Sequence, residues 1–344
     1  VNIRRRDERA PRWSLALACA GWIFAASDAV GQRRIPITLP GQRTVATPFE
    51  LALARGDQAL GQGRLEEARA QFEQAAALDA RDARPSFYLG EVARRQDQWA
   101  VAETRLREAL ARAPRMAEAH ASLGAVLRER ERLREATAEY TQAIRLDPQM
   151  AEAHHGLALC LEDAGDREGA IRAYRTAVRQ GPSDPMPALN LGILLASGRP
   201  ARGTQPRAEA LSMLQTAMRA GAEDAVVLSS AGPALRLLGE HASAADALER
   251  ARARTATPSA SLLGELAQAL WASGRRPEAL ARIGEALRRA PTAAELHYVR
   301  ALMQLEQGDR AGATASLRAV VQHGGSSPLV ARARERLAQR GPGR

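Results

Sequence analysis

Residues 117–148 read AEAHASLGAVLRERERLREATAEYTQAIRLDP, and residues 151–182 read AEAHHGLALCLEDAGDREGAIRAYRTAVRQGP. The two stretches are copies 34 residues apart. Within each copy an alanine (Ala136, Ala170) is followed four residues on by a tyrosine (Tyr140, Tyr174) and then by Ala143 or Ala177. The i, i+4, i+7 spacing puts all three on one face of a helix. Twelve residues upstream sits a small residue, Gly124 or Ala158. A helix pair this short cannot bury its own apolar face. Neighbouring copies must stack on it.

The register runs outward in both directions. Ala68, Ala102, Ala136 and Ala170 are followed by Ala210, Ala244, Ala279 and Ala313, at steps of 34 or 35 residues with one of 40. The large partner four residues on is Phe72, Leu106, Tyr140, Tyr174, Leu214, Leu248, Ile283 or Leu317. The small upstream residue is Gly56, Gly90, Gly124, Ala158, Gly232, Ala267 or Ala301, and in the fifth copy Gly192, six residues further upstream. Turn residues fall between, as at Gly63, Asp97, Gly165, Gly239, Gly274 and Gly308. Pro114, Pro148, Pro182 and Pro291 close units, because proline cannot continue a helix.

This pattern resembles the tetratricopeptide repeat, W-x2-L-G-x2-Y…A-x3-F…P over 34 residues. The "AEAH" start is also similar to the repeats of O-linked N-acetylglucosamine transferases. The resemblance implies an all-α, right-handed superhelical solenoid of helix-turn-helix repeats with a C-terminal capping helix. It divides residues 49–327 into eight units: 49–82, 83–116, 117–150, 151–184, 185–224, 225–259, 260–293 and 294–327. A capping helix and basic tail occupy 328–344. The fifth unit carries about six extra residues within Ser197–Arg207, read against the 34-residue period. The family's early aromatic is replaced by Ser86, His120, His154 or His297.

Composition agrees. Alanine fills 74 of 344 positions and aromatics only 3%, against the β-branched and aromatic content that strands favour. The net charge is +10, and every basic residue is arginine. The charge sits at the ends: residues 1–48 hold eight Arg against three acids, and residues 328–344 five against one, whereas 49–327 hold 36 against 35. A nearly neutral body lacks the uncompensated cations that a polyphosphate partner needs, which excludes nucleic acid as the expected partner.

Arg4, Arg5, Arg6, Arg9 and Arg12 precede an uncharged run from Trp13 to Ala26, then Ser27 and Ala29. Positive start, short apolar run and small-x-small site form a signal-peptide pattern over 1–29, or an uncleaved anchor that would be the chain's one link to a membrane. Val1, read as a GTG start codon, points to a bacterial reading frame. Residues 30–48, with Pro36, Pro40 and Pro48, read as an extended linker. The expected location is the periplasm or envelope. Once 1–29 are removed, Cys160 is the one cysteine left, so the fold does not depend on a disulfide.

Neither a phosphate-binding loop nor a hydrolase or zinc-protease motif occurs. His154, His155 and Cys160 lack a zinc-ligand spacing. His120, His154 and His297 share the fourth place of their units and so a structural role. No enzyme activity, cofactor or metal is expected. Function then falls on the concave surface, which the first helix of each repeat lines in the resembled family. The second, fifth, ninth and twelfth places of these helices give Arg84, Phe87, Glu91 and Arg94, then Glu118, Ala121 and Ala125, then Glu152, His155 and Leu159. The fifth unit adds Met186, Leu189 and Ile193, with Asn190 beside them. Such a groove, charged at one end and apolar further on, suits a protein or peptide partner. The family's chaperone carboxylate clamp is not reproduced: only Asn190 matches, while Ala54, Tyr88 and Ser122 take the corresponding places. The expectation is a non-catalytic scaffold or adaptor; the alternative is the recognition subunit of a separate transferase or secretion complex.

Overall fold

The computed structural model describes residues 46–339. The signal-like segment and most of the linker lie outside them. The described residues divide into two compact units that meet in sequence at Ser183 and Asp184. The first holds α1 (Pro48–Gly61), α2 (Leu65–Leu78), α3 (Arg84–Arg95), α4 (Trp99–Arg112), α5 (Ala117–Glu129), α6 (Leu133–Leu146), α7 (Ala151–Asp163) and α8 (Arg167–Gln180). The second holds α9 (Pro185–Ser197), α10 (Gln205–Ala220), α11 (Ala225–Leu237), α12 (His241–Arg254), α13 (Ala260–Ala272), α14 (Arg276–Arg289), α15 (Ala294–Glu306), α16 (Arg310–His323) and α17 (Pro328–Ala338). No strand occurs among the described residues. Each unit is a stack in which a helix packs chiefly on its sequence neighbours.

The repeated alanine from Ala68 to Ala313 is 0% exposed at all eight places. The large residue four positions on is buried too, from Phe72 to Leu317. It presses directly on the small residue of the preceding helix. A Cβ built on Gly90 would stand 2.8 Å from Leu106 Cγ. One built on Gly192 would stand 2.8 Å from Leu214 Cγ. The fifth pair thus keeps the contact despite its longer connection, residues 198–204.

Helix ends follow local chemistry. Thr47, Asp166, Asp184, Asp224, Ser259, Asp309 and Ser327 each accept a hydrogen bond from a backbone N–H of the first turn, relieving donors a helix start leaves unpaired. The fourth-place histidines share one device. Nε2 of His120, His154 and His297 donates to the carbonyl oxygen of Pro114, Pro148 and Pro291 at 3.0, 3.0 and 2.7 Å. The ring ties each new helix to the end of the one before. Ser86, in the same place, accepts instead from Arg112 Nη1 at 2.7 Å.

Candidate functional site

The first unit carries a cleft lined by Arg94, Trp99, Ala125, Arg128, Glu129, Tyr140, Glu152, His155, Gly156 and Leu159. Helices α3, α5 and α7 supply most of it, with Trp99 from α4 and Tyr140 from α6. The guanidinium of Arg94 is held by Glu91 through Nε–Oε1 at 3.2 Å and Nη2–Oε2 at 3.0 Å. Their side chains are 11% and 6% exposed, an ion pair that leaves a buried charge if either partner is lost. Arg128 reaches Glu129 at 2.7 Å and Asp163 at 3.6 Å. Burial, with Arg128 nearby, lowers the His155 pKa to about 4, so the imidazole is neutral at pH 7. Burial also raises the Tyr140 phenol well above its ordinary value.

Five of the residues expected at the groove meet here: Arg94, Ala125, Glu152, His155 and Leu159. Others do not. Arg84 is engaged by Asp82 at 2.7 Å and Glu50 at 3.0 Å and lies 5.1 Å over the Phe49 ring, tying α3 to α1. Phe87 is half-buried against the first unit's core and 5.2 Å from the Tyr88 ring. Glu91 is buried beneath Arg94, and Glu118 is exposed on the first turn of α5. In the second unit, Leu189 is 1% exposed, which corrects its expected groove exposure. Asn190 and Ile193 beside it are half-buried. Ala121 is equally buried, in one cluster with Ala93 and Ala153. Fifth places are claimed by packing.

Sequence reasoning missed Trp99, Arg128, Glu129, Tyr140 and Gly156. Arg128 was within reach, since it takes the same twelfth place in its repeat as Arg94. Tyr140 was read only as a core residue of the register. Among the described residues no cluster of three or more His, Cys, Asp or Glu is placed to hold a metal ion. Cys160 is buried and its thiol pKa is pushed up to about 11, by burial first. The arrangement supplies hydrogen-bond donors, paired charges and an apolar wall, the makings of a binding surface.

The tetratricopeptide repeat family model matches residues 53–100, 89–140, 126–185 and 265–328. The chain belongs to the tetratricopeptide repeat family. This repeat protein is similar in fold to a chain of the APC/C hetero-tetramer Cut9-Hcn1, at 18% identity and a TM-score of 0.57 over 83% of its own length. It spans 55% of that chain. It is similar as well to PilF of Pseudomonas aeruginosa, at 20% identity and a TM-score of 0.52, with 60% of this chain and 91% of that one covered. No curated protein sequence matches the repeat protein. Among its described helices none is long and apolar enough to cross a membrane.

Proposed function

We propose that the protein is an exported, non-catalytic interaction scaffold that holds an extended segment of a partner protein in the first-unit cleft. Family membership supports the general reading, since tetratricopeptide repeats serve protein–protein interaction. The cleft itself carries the finer one. Stacking requires the alanine register and its large partners. It does not require Leu159 to line an open wall beside Arg94 and Arg128, and a concave surface with an apolar wall and a few placed polar groups is what a peptide ligand uses.

The test is selection of random linear peptides displayed on phage against the purified full chain. Peptides that dock in the cleft bind the parent and are lost on Leu159→Asp, a half-buried position where a carboxylate removes apolar contact. Equal binding by the variant moves the site elsewhere. Export rests on the arginine-led apolar run of residues 4–26. Residues 1–48 fused to a reporter active only outside the cytoplasm should give activity, and Leu15→Arg with Leu17→Arg should abolish it. A parent fusion that stays cytoplasmic and inactive refutes export.

A further inference from the structure

The core register puts a tyrosine at two successive repeats, and the two hydroxyls fare differently. Tyr174 donates to Glu162 Oε2 at 2.9 Å. Tyr140 is 4% exposed, and its hydroxyl makes no hydrogen bond with any of the described residues. Packing does not require that hydroxyl, because Phe72 fills the same register place in the first repeat and is fully buried. The hydroxyl oxygen is not one of the fully buried side-chain atoms left without a partner, so it stands open to the cleft. Tyr140 lines the cleft together with Arg94 and Arg128.

The residue facing it is the one that leaves room. A Cβ on Gly156 would overlap the Tyr140 ring and stand 2.6 Å from its hydroxyl oxygen. Glycine occupies this sixth place, where neighbouring repeats have Tyr88, Ser122 and Asn190. The surrounding charges select against an ionic ligand. Two guanidiniums, Arg94 and Arg128, are matched in the lining by two carboxylates, Glu129 and Glu152, and both arginines are already ion-paired. The lining therefore draws neither sign of charge. What remains are uncharged groups: the Tyr140 hydroxyl and the Trp99 indole, beside the apolar surfaces of Leu159 and Ala125.

We propose that Tyr140 is a specificity-determining hydrogen-bond donor of this cleft. Its ligand is an uncharged stretch of extended peptide that sets a carbonyl oxygen on the Tyr140 hydroxyl and an apolar side chain against Leu159 and Ala125. The inference rests on the docking reading above. Its test uses individual phage-selected peptides that bind the full chain and are lost on Leu159→Asp. Their Kd is measured by fluorescence anisotropy on the parent and on Tyr140→Phe. One neutral hydrogen bond predicts about three- to tenfold weaker binding by the Phe variant. The melting temperature should hold, since the hydroxyl makes no hydrogen bond with the described residues that the change could remove. A merely structural hydroxyl would lower it. Equal affinity for both proteins overturns the role of Tyr140 while leaving the docking reading standing. Selected peptides dominated by acidic or basic residues overturn the uncharged ligand. If no peptide is sensitive to Leu159→Asp, the docking reading itself falls.

Discussion

His155 is a neutral imidazole where the sequence offered a polar groove residue. Its ring lies 5.8 Å from that of Tyr174, and burial with the nearby Arg128 brings its pKa to about 4 from 6.5. Between those two values only the unfolded chain takes up the proton. Stability from this residue is therefore complete above pH 6.5 and is lost as pH falls toward 4. Linkage over that interval makes the parent about 2 kcal/mol less stable at pH 5 than at pH 7 on this account alone. Urea unfolding of the parent and His155→Gln at both pH values checks it: the gap between them should narrow at pH 5. A constant gap would mean that the ring is not held neutral. The sequence showed which residue types sat on the first helices, but not this burial. Leu189, Ala121 and His155 share the fifth place, and whether that place faces solvent depends on how closely the next first helix approaches. That distance is set by side chains from three different helices. Tyr140 was legible only as the large residue of the register, because its place at the cleft depends on Gly156 of the next repeat leaving room for its ring.

Each helix pair turns on a residue in the left-handed region. Gly63, Gly165, Gly239, Gly274 and Gly308 have φ between 72° and 86°. The second and third pairs use Asp97 and Glu131 instead, at φ 56° and 59°. Sequence reading found the glycines and Asp97, because turn composition marks them. It passed over Glu131, which sits in the charged run 128–135 and carries no turn signal. A left-handed conformation costs an L-residue with a Cβ about 1–2 kcal/mol, part of which glycine's greater freedom in the unfolded chain cancels. Glu131→Gly should stabilise the protein by about 0.5–1 kcal/mol, and Gly165→Ala should destabilise it by about 1 kcal/mol. Chemical denaturation of the two variants should move the midpoint in opposite directions. A shared direction would show that the turns are not set by this backbone preference. The connections also bear on the alanine register. It survived the longer fifth connection because Gly192 still meets Leu214, which is why an interrupted period remained readable.

At the scale of the whole molecule, the chain gathers its positive excess at its two ends. Its positive excess belongs to the segments before residue 49 and after residue 327, and the repeats between are nearly balanced. Those repeats are stabilised by local contacts, so within a unit a defect should spread only to neighbouring pairs. Ala136 and Ala138 test this from one helix. Ala136 is 0% exposed against its neighbours, whereas Ala138 is exposed. A tryptophan cannot enter the first place without displacing Tyr140 or the facing helix, and overpacking of this kind costs about 1–3 kcal/mol or more. At the second it lies in solvent. Hydrogen exchange of Ala136→Trp should lose protection most in α5, α6 and α7 and least in α1 and α2, while Ala138→Trp should match the parent throughout. Uniform loss along α1–α8 would mean that the first unit opens as one cooperative block. Equal exchange in the two variants would mean that the alanine register does not carry the packing.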